Sequence, residues 1–131
     1  MTMKTARELW DAVYAAVEAE EHFAFYELCD ADLDIRTASQ HKTGPKALAG
    51  MFTQQRGLYS ELAHEVEGLV ESADGSALSV ELILSGVPKG TQERLTWNVV
   101  ETVRAEAGRI VSWHAMLDRT GLVQRIRALQ G

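Results

Sequence analysis

The chain has 131 residues, of which 46% are hydrophobic and 24% charged, and its 13 basic and 19 acidic side chains give a net charge of −6. This composition is typical of a globular protein, and we expect one domain over residues 1–131. The acidic balance argues against a nucleic acid or a membrane as the partner, since an anionic surface needs concentrated positive charge. Cys29 is the single cysteine, which excludes an intrachain disulfide, and a cytoplasmic location is the expectation.

The first half of the chain shows the periodicity of helices. Apolar residues recur at helical spacing over residues 5–20, and Thr5 with Glu8 three positions later is the signature of a capping box. A short second helix is predicted over 21–29 and a strand over 33–38. A turn over 41–45 then precedes a third helix over 46–62, with Pro45 at its start.

After residue 63 the apolar period changes from that of a helix to that of a strand. Four strands are predicted over 64–71, 76–85, 94–104 and 109–118, joined by short turn-rich connections that are typical of hairpins. A closing helix is predicted over 121–129. Helices followed by hairpin-linked strands define an α+β fold, in which helices pack on one face of a curved antiparallel sheet.

The last two strands indicate which face of the sheet points inward. A turn over 104–108 places Trp97 opposite Ala115, which joins the odd-numbered apolar rows of both strands on one face. Glu101 is the ionisable exception in this row. Two interpretations are open: the side chain lies near the strand end and reaches water, or it lines a cavity with a raised pKa that suits proton transfer.

Several short motifs, taken with this order of elements, resemble a known family. The motifs are Thr43-Gly44, Asp74-Gly75, Ser85-Gly86 and Gly108-Arg109-Ile110-Val111-Ser112-Trp113. Over almost the whole chain they resemble the SnoaL-like branch of the nuclear transport factor 2-like superfamily, whose polyketide cyclases share this fold. The resemblance implies a cone-shaped, cystatin-like α+β barrel with helices on the concave face of the sheet. It also implies one deep apolar pocket and a homodimer joined through the outer sheet face.

The resemblance assigns positions to the catalytic groups of relatives, one residue at a time. Ketosteroid isomerases carry acids where this chain has Thr37 and Trp97, and epoxide hydrolases of this fold carry an Asp where it has Ala115. SnoaL-type cyclases use a last-strand Asp and a His fourteen positions earlier, which correspond to Ala115 and Glu101. Of these positions, Glu101 alone keeps an acid–base group. Tyr14 matches the hydrogen-bonding Tyr that isomerases place on the first helix.

The predicted site combines acid–base groups with an aromatic wall. The predicted catalytic residues are Glu101, His64 and Tyr14. The predicted substrate-binding residues are Trp97, Trp113, Thr37, Tyr59 and Ala115. His64 belongs to an alternating row that is predicted to face the cavity, with Val66, Gly68 and Val70. Each has a structural alternative: the aromatic residues also suit a core, and His64 also suits a buried, hydrogen-bonded position. The sequence has no spacing typical of metal ligands, so no metal or cofactor is expected.

Three functions remain open, and whether the protein is an enzyme is open with them. The first is a cofactor-independent cyclase or isomerase that acts by acid–base chemistry on a hydrophobic carbonyl or polyketide-like intermediate. In it, Glu101 moves the proton, and His64 or Tyr14 stabilises the oxyanion, while Trp97 and Trp113 hold the ring system. The second is a non-catalytic protein of the same fold that binds a hydrophobic small molecule or acts as a scaffold. The third is an epoxide-opening cyclase or hydrolase, which needs a pair of acids.

Overall fold

The computed structural model describes residues 3–117 and residue 126, and these contain three helices and six strands. Helix α1 spans Ala6–Glu18, a 3-10 turn at His22–Ala24 leads into the one-turn helix α2 at Phe25–Leu28, and helix α3 spans Pro45–Leu58. The strands are β1 at Cys29–Thr37, β2 at His41–Thr43, β3 at Tyr59–Glu71, β4 at Ala77–Pro88, β5 at Leu95–Glu106 and β6 at Arg109–Leu117.

Helix α1 begins at the predicted capping box. The backbone N–H of Glu8 donates to Oγ1 of Thr5 at 3.2 Å, and the backbone N–H of Thr5 donates to the Glu8 carboxylate at 3.0 Å. The N–H of Ala6 also donates to the carbonyl oxygen of Gly75 at 2.8 Å, which ties the start of the helix to the β3–β4 turn. One face of helix α1 is buried, as its amphipathic pattern predicts.

Two elements in the middle of the chain differ from the predicted ones. Helix α3 ends at Leu58 rather than at residue 62, because Tyr59 is already extended and pairs with Pro88 of β4. The predicted turn over 41–45 contains strand β2, which pairs with β1 in antiparallel fashion. In both places the pairing with a neighbouring strand supplies backbone hydrogen bonds that local periodicity does not reveal.

The six strands form one curved, unclosed sheet in the order β2-β1-β6-β5-β4-β3. The α+β fold class is confirmed, with the helices against one face of the sheet. The expectation of a fully antiparallel sheet is wrong in one pairing, since β1 runs parallel to β6. A parallel pairing joins strands that are distant in sequence, so no hairpin signal marks it.

The β5–β6 hairpin has a different register from the predicted one. Its turn is the two-residue pair Ala107-Gly108, both with positive φ as a tight hairpin requires, so that Glu101 rather than Trp97 lies opposite Ala115. The shift amounts to four residues along β5 and preserves the alternation, so the odd-numbered residues of β5 still face the helices. The predicted inner face is confirmed, although the predicted cross-strand pairs are wrong.

The inner face differs from the predicted one at two further places, because β6 and β3 each contain a bulge. A register shift in β6 puts Ile110 in the fully buried row in place of Val111. In β3, His64 lies opposite the inward Leu84, but a bulge before Gly68 reverses the alternation, so that Gly68 and Val70 face outward. The row predicted to line the cavity therefore ends after Val66.

The remaining predicted element is the closing helix over 121–129, which lies outside the described residues apart from Ile126. That side chain is half-buried against the core. None of the described helices is long and apolar enough to cross a membrane.

Candidate active site

A cavity of about 510 Å³ lies between helices α1 and α3 and strands β3 and β4. Its wall includes the aromatic side chains Tyr14, Phe52 and Tyr59 and the apolar side chains Val17, Leu62, Ala63 and Leu84. Polar side chains also border it, namely Glu18, Gln55, Arg56, Glu61 and His64. A mainly aromatic and aliphatic wall with a few polar groups is typical of a small-molecule site.

Glu101 is the buried acid of the inner face. Its side chain is 5% exposed, and it is the only buried charged residue in the part of the chain that the structure describes. Two donors converge on its Oε1 atom: the indole Nε1 of Trp10 at 3.0 Å and the hydroxyl of Tyr14 at 2.8 Å. The interpretation in which this side chain reaches water at a strand end is therefore wrong.

The burial of Glu101 changes its ionisation. Loss of water raises the pKa of the carboxyl from 4.5 to about 7, while hydrogen bonds from Tyr14, Trp10 and Trp113 act in the lowering direction without cancelling the effect. Burial, and secondarily the charge of Glu101, raise the pKa of the Tyr14 hydroxyl well above its ordinary value. Tyr14 is therefore a protonated hydrogen-bond donor at neutral pH, beside a carboxyl that exchanges its proton in the same range.

Tyr14 stands between the cavity and the carboxyl. Its side chain forms part of the cavity wall, and its hydroxyl reaches Glu101 behind that wall. Neighbouring rings hold it in place, with centroids 4.6 Å away for Trp10, 4.7 Å for His64 and 5.5 Å for Phe52. Tyr14 is therefore the residue that connects the cavity with the carboxyl of Glu101.

His64 occupies the cavity side of this cluster. It comes from β3, is exposed, and presents its ring to Tyr14 at an angle of 45°. The alternative of a buried histidine is wrong. The structure thus brings together all three residues that the sequence predicts as catalytic, with Glu101 innermost and His64 outermost.

Of the five predicted substrate-binding residues, one lines the cavity. Tyr59 lies in the cavity wall, whereas Trp113 is buried behind it, with its ring centroid 5.9 Å from that of Phe52. Trp97 is buried beneath Tyr59, with ring centroids 4.9 Å apart. Ala115 lies opposite Glu101 on the inner face.

Thr37 lies at the end of β1, where its Oγ1 accepts the N–H groups of Ser39 and Gln40 in a turn. Those hydrogen bonds stabilise the turn that follows β1.

Sequence reasoning missed the contribution of α3 to the cavity. Phe52, Gln55 and Arg56 line it from that helix, at the spacing of one helical face that leads to Tyr59. The sequence signal was the polar pair Gln55 and Arg56 on the same helix face as Phe52. In the described residues, no group of three or more His, Cys, Asp or Glu side chains is placed to hold a metal ion.

The sequence matches the family model described as the SnoaL-like domain over residues 10–113. The chain therefore belongs to the SnoaL-like family. No curated protein matches it.

Solved structures with the same fold include proteins of several kinds. A SnoaL-like polyketide cyclase from Agrobacterium tumefaciens superposes with a TM-score of 0.76 at 15% identity, covering 95% of this chain and 99% of that one. An NTF2-like protein from Burkholderia thailandensis gives 0.77 at 16% identity, covering 95% and 98%. An LEH-like epoxide hydrolase from Mycobacterium tuberculosis gives 0.69 at 16% identity, covering 100% and 99%. At these identities the similarity shows the fold alone, and the chemistry has to be inferred from the residues of the site.

Proposed function

We propose that the protein is a cofactor-independent cyclase or isomerase that moves a proton on a hydrophobic carbonyl compound held in the cavity. One observation carries the proposal: a buried carboxyl with a pKa of about 7 is hydrogen-bonded to a tyrosine that forms the cavity wall. Acid–base catalysis is most effective when the pKa of the catalytic group lies near the working pH. The name of the Agrobacterium relative supports a polyketide-like carbonyl compound as the substrate.

The arrangement supports a stepwise assignment of roles. With Glu101 protonated, its hydroxyl donates to the oxygen of Tyr14, and the phenolic proton becomes available to the carbonyl oxygen of the substrate. As negative charge develops on that oxygen, the phenolic proton moves to it and the proton of Glu101 moves to Tyr14. The imidazole of His64, at the cavity side of Tyr14, takes the proton from the carbon next to the carbonyl group. The proton gained by the substrate oxygen and the one lost from carbon balance an enolisation.

A proton-exchange assay tests this function with a defined probe. The probe is the hydrophobic ketone 2-acetyl-6-methoxynaphthalene in D₂O, with NMR detection of deuterium entering its acetyl methyl group. We expect the protein to accelerate the exchange and Glu101→Gln to reduce that acceleration by roughly 10²-fold. Glu81→Gln, at an exposed acid on the outer sheet face, is the matched control and retains the wild-type rate. Equal rates for wild type and Glu101→Gln would refute the proposed role of Glu101.

A second candidate is non-catalytic binding of a hydrophobic small molecule. The enclosure of Glu101 behind Tyr14 favours it, because a carboxyl satisfied by two donors also suits a structural hydrogen-bond network. Saturable binding of the ketone without any exchange would select this function. An epoxide-opening reaction, the third candidate, needs two acids, and Glu101 is the single acid at the centre of the cluster.

We further propose a homodimer formed through the outer face of the sheet. Val100 and Met116 lie opposite each other there, with 41% and 58% of their surfaces exposed. Adjacent exposed apolar side chains on a polar sheet face suit a self-complementary contact, as a two-fold dimer requires.

A further inference from the structure

Two residues of β3 that line the cavity are separated by an odd number of positions. Tyr59 and His64 both belong to the cavity wall, and they lie opposite the buried residues Pro88 and Leu84 of β4. Successive side chains of a regular strand point to opposite faces, so an odd separation would place Tyr59 and His64 on opposite faces of the sheet. An irregularity between them therefore turns His64 toward the cavity.

The irregularity is a bulge in β3. The register with β4 shifts between Ser60 and Ala63, where Glu61 and Leu62 together face the single residue Gly86. An extra residue in one strand reverses the alternation of the side chains that follow it. A Cβ at Gly86 would lie 3.3 Å from Cδ1 of Leu62, so the missing side chain leaves room for the bulge.

The backbone of the bulge is strained at Glu61. Its φ of +51° lies in the left-handed region, which glycine adopts freely and which is unfavourable for a residue with a Cβ atom. Bulges with a residue in this conformation usually carry a glycine there. Glu61 and the three residues after it all line the cavity, so the strained conformation shapes this part of the wall.

Arg94, in the connection before β5, contacts the strained residue directly. Its Nη1 atom donates to the carbonyl oxygen of Glu61 at 3.1 Å and to Oγ of Ser85 on β4 at 2.9 Å. Its Nη2 atom lies 3.4 Å from Oε2 of Glu61, but this ion pair is exposed and contributes little. The bond to the backbone carbonyl oxygen is the one that ties the bulge to β4.

We infer that Arg94 is a positioning residue, which holds the bulge of β3 and thereby keeps the ring of His64 against Tyr14. The centroids of the two rings are 4.7 Å apart, whereas Arg94 itself does not belong to the cavity wall. The inference rests on the proposed function in giving His64 the role of proton acceptor. That role depends on placement, since a small displacement of a reacting group slows catalysis strongly.

The contact between the two rings tests the inference by NMR without a ligand. We expect wild type to show a nuclear Overhauser effect between the rings of His64 and Tyr14, and Arg94→Met to lose it. Ketone exchange should fall in Arg94→Met by up to roughly 10²-fold. Arg7→Met is the matched control, because Arg7 also forms an exposed ion pair, with Asp11 on α1, and it should change neither quantity. Absence of the effect in wild type, or its persistence in Arg94→Met, would overturn the inference.

A second substitution tests whether Arg94 acts through the bulge. Glu61→Gly allows the positive φ without strain, so the double variant Glu61→Gly/Arg94→Met should keep the bulge and recover the contact between His64 and Tyr14. This variant also decides the case in which Arg94→Met fails to fold. A double variant that folds and shows the contact supports the inference, and one that is unfolded or lacks the contact overturns it. A wild type that shows the contact but exchanges no ketone would refute the proposed function alone.

Discussion

The hydroxyl of Tyr14 donates a 2.8 Å hydrogen bond to Oε1 of Glu101, while the same side chain forms part of the cavity wall. Glu101 is not one of the residues that line the cavity, so this contact connects the buried carboxyl with the cavity. Its removal should therefore change both the ionisation of Glu101 and the chemistry in the cavity.

The first prediction concerns Tyr14→Phe. The hydrogen bond from Tyr14 lowers the pKa of Glu101, so its loss leaves the effect of burial less opposed and raises that pKa further. ¹³C NMR of the glutamate side-chain carboxyls follows the titration, and ketone exchange falls by roughly 10²-fold in parallel. Tyr26→Phe, at an exposed tyrosine of α2, is the control that leaves both quantities unchanged. A pKa of Glu101 that stays constant or falls in Tyr14→Phe would contradict the prediction.

The second prediction is a pH dependence of stability. The pKa of Glu101 is about 7 in the folded protein and close to 4.5 in the unfolded chain, so between these values the folded state holds the additional proton. The free energy of unfolding therefore decreases as pH rises from about 4.5 to about 7, by up to about 3 kcal/mol. Glu101→Gln removes this decrease, whereas Glu81→Gln keeps it. Urea unfolding across the range measures the slope, and an identical slope in Glu101→Gln would refute the assignment.

The third prediction concerns the outer sheet face, where Asp34 contacts two histidines and an arginine. Oδ1 lies 2.5 Å from Nε2 of His41, and Oδ2 lies 3.2 Å from Nε2 of His114 and 3.0 Å from Nε of Arg36. The contacts with His41, and then those with His114 and Arg36, lower the pKa of Asp34 from 3.8 to about 2. Their stabilisation is present above pH 3.8 and is lost as pH falls through 2.

Asp34→Asn should therefore lower stability at neutral pH and weaken its dependence on pH between about 4 and 2. The dependence that remains includes Asp74, whose pKa is likewise about 2 because Ser76 and Ser72 donate hydrogen bonds to it. Asp32→Asn on the same strand is the control, because its side chain makes none of the contacts of Asp34. Acid unfolding followed by circular dichroism measures the effect, and coincident curves for the two variants would argue against the prediction.

The fourth prediction compares two glycines that both have positive φ. Gly75 has φ +76°, and a Cβ there would lie 3.0 Å from Cγ2 of the helix-capping Thr5; Gly90 has φ +85° with no neighbour within 4 Å. Gly90→Ala should lower the free energy of unfolding by about 1 kcal/mol through backbone strain, and Gly75→Ala by more because Thr5 must also move. Urea unfolding gives both values, and an equal loss would exclude the contact with Thr5.

The fifth prediction tests the proposed dimer. Val100→Glu places charges on the outer face beside Met116 and should convert the dimer to a monomer in sedimentation experiments. Val66→Glu is the matched control, because Val66 is similarly exposed but lies on the inner face opposite Leu82. A monomeric wild type at micromolar concentration would refute the dimer, and a dimeric Val100→Glu would place its interface elsewhere.

Sequence periodicity predicts the elements that depend on local spacing. Helix α1 begins after its cap Thr5, as the capping box predicts, and Glu101 stands out as the acid in an apolar row because burial repeats with the period of the element. The predicted register of β5 and β6 is wrong because Ala107-Gly108 is not a strong hairpin signature and because bulges leave no periodic signal in the sequence. The position of the cavity depends on how α3 packs against β3, which spacing within one element does not determine.

The pKa of Glu101 in the wild-type protein decides whether this carboxyl can supply a proton at neutral pH. ¹³C NMR with selective labelling of glutamate carboxyls, assigned by comparison with Glu101→Gln, follows this group across pH 4 to pH 9. We expect a titration midpoint of about 7, because burial raises the pKa of Glu101 and the hydrogen bonds from Tyr14 and Trp10 offset only part of that rise. A midpoint near the ordinary value of 4.5 would contradict it, since a carboxyl that is ionised throughout the neutral range would have no proton to pass to Tyr14.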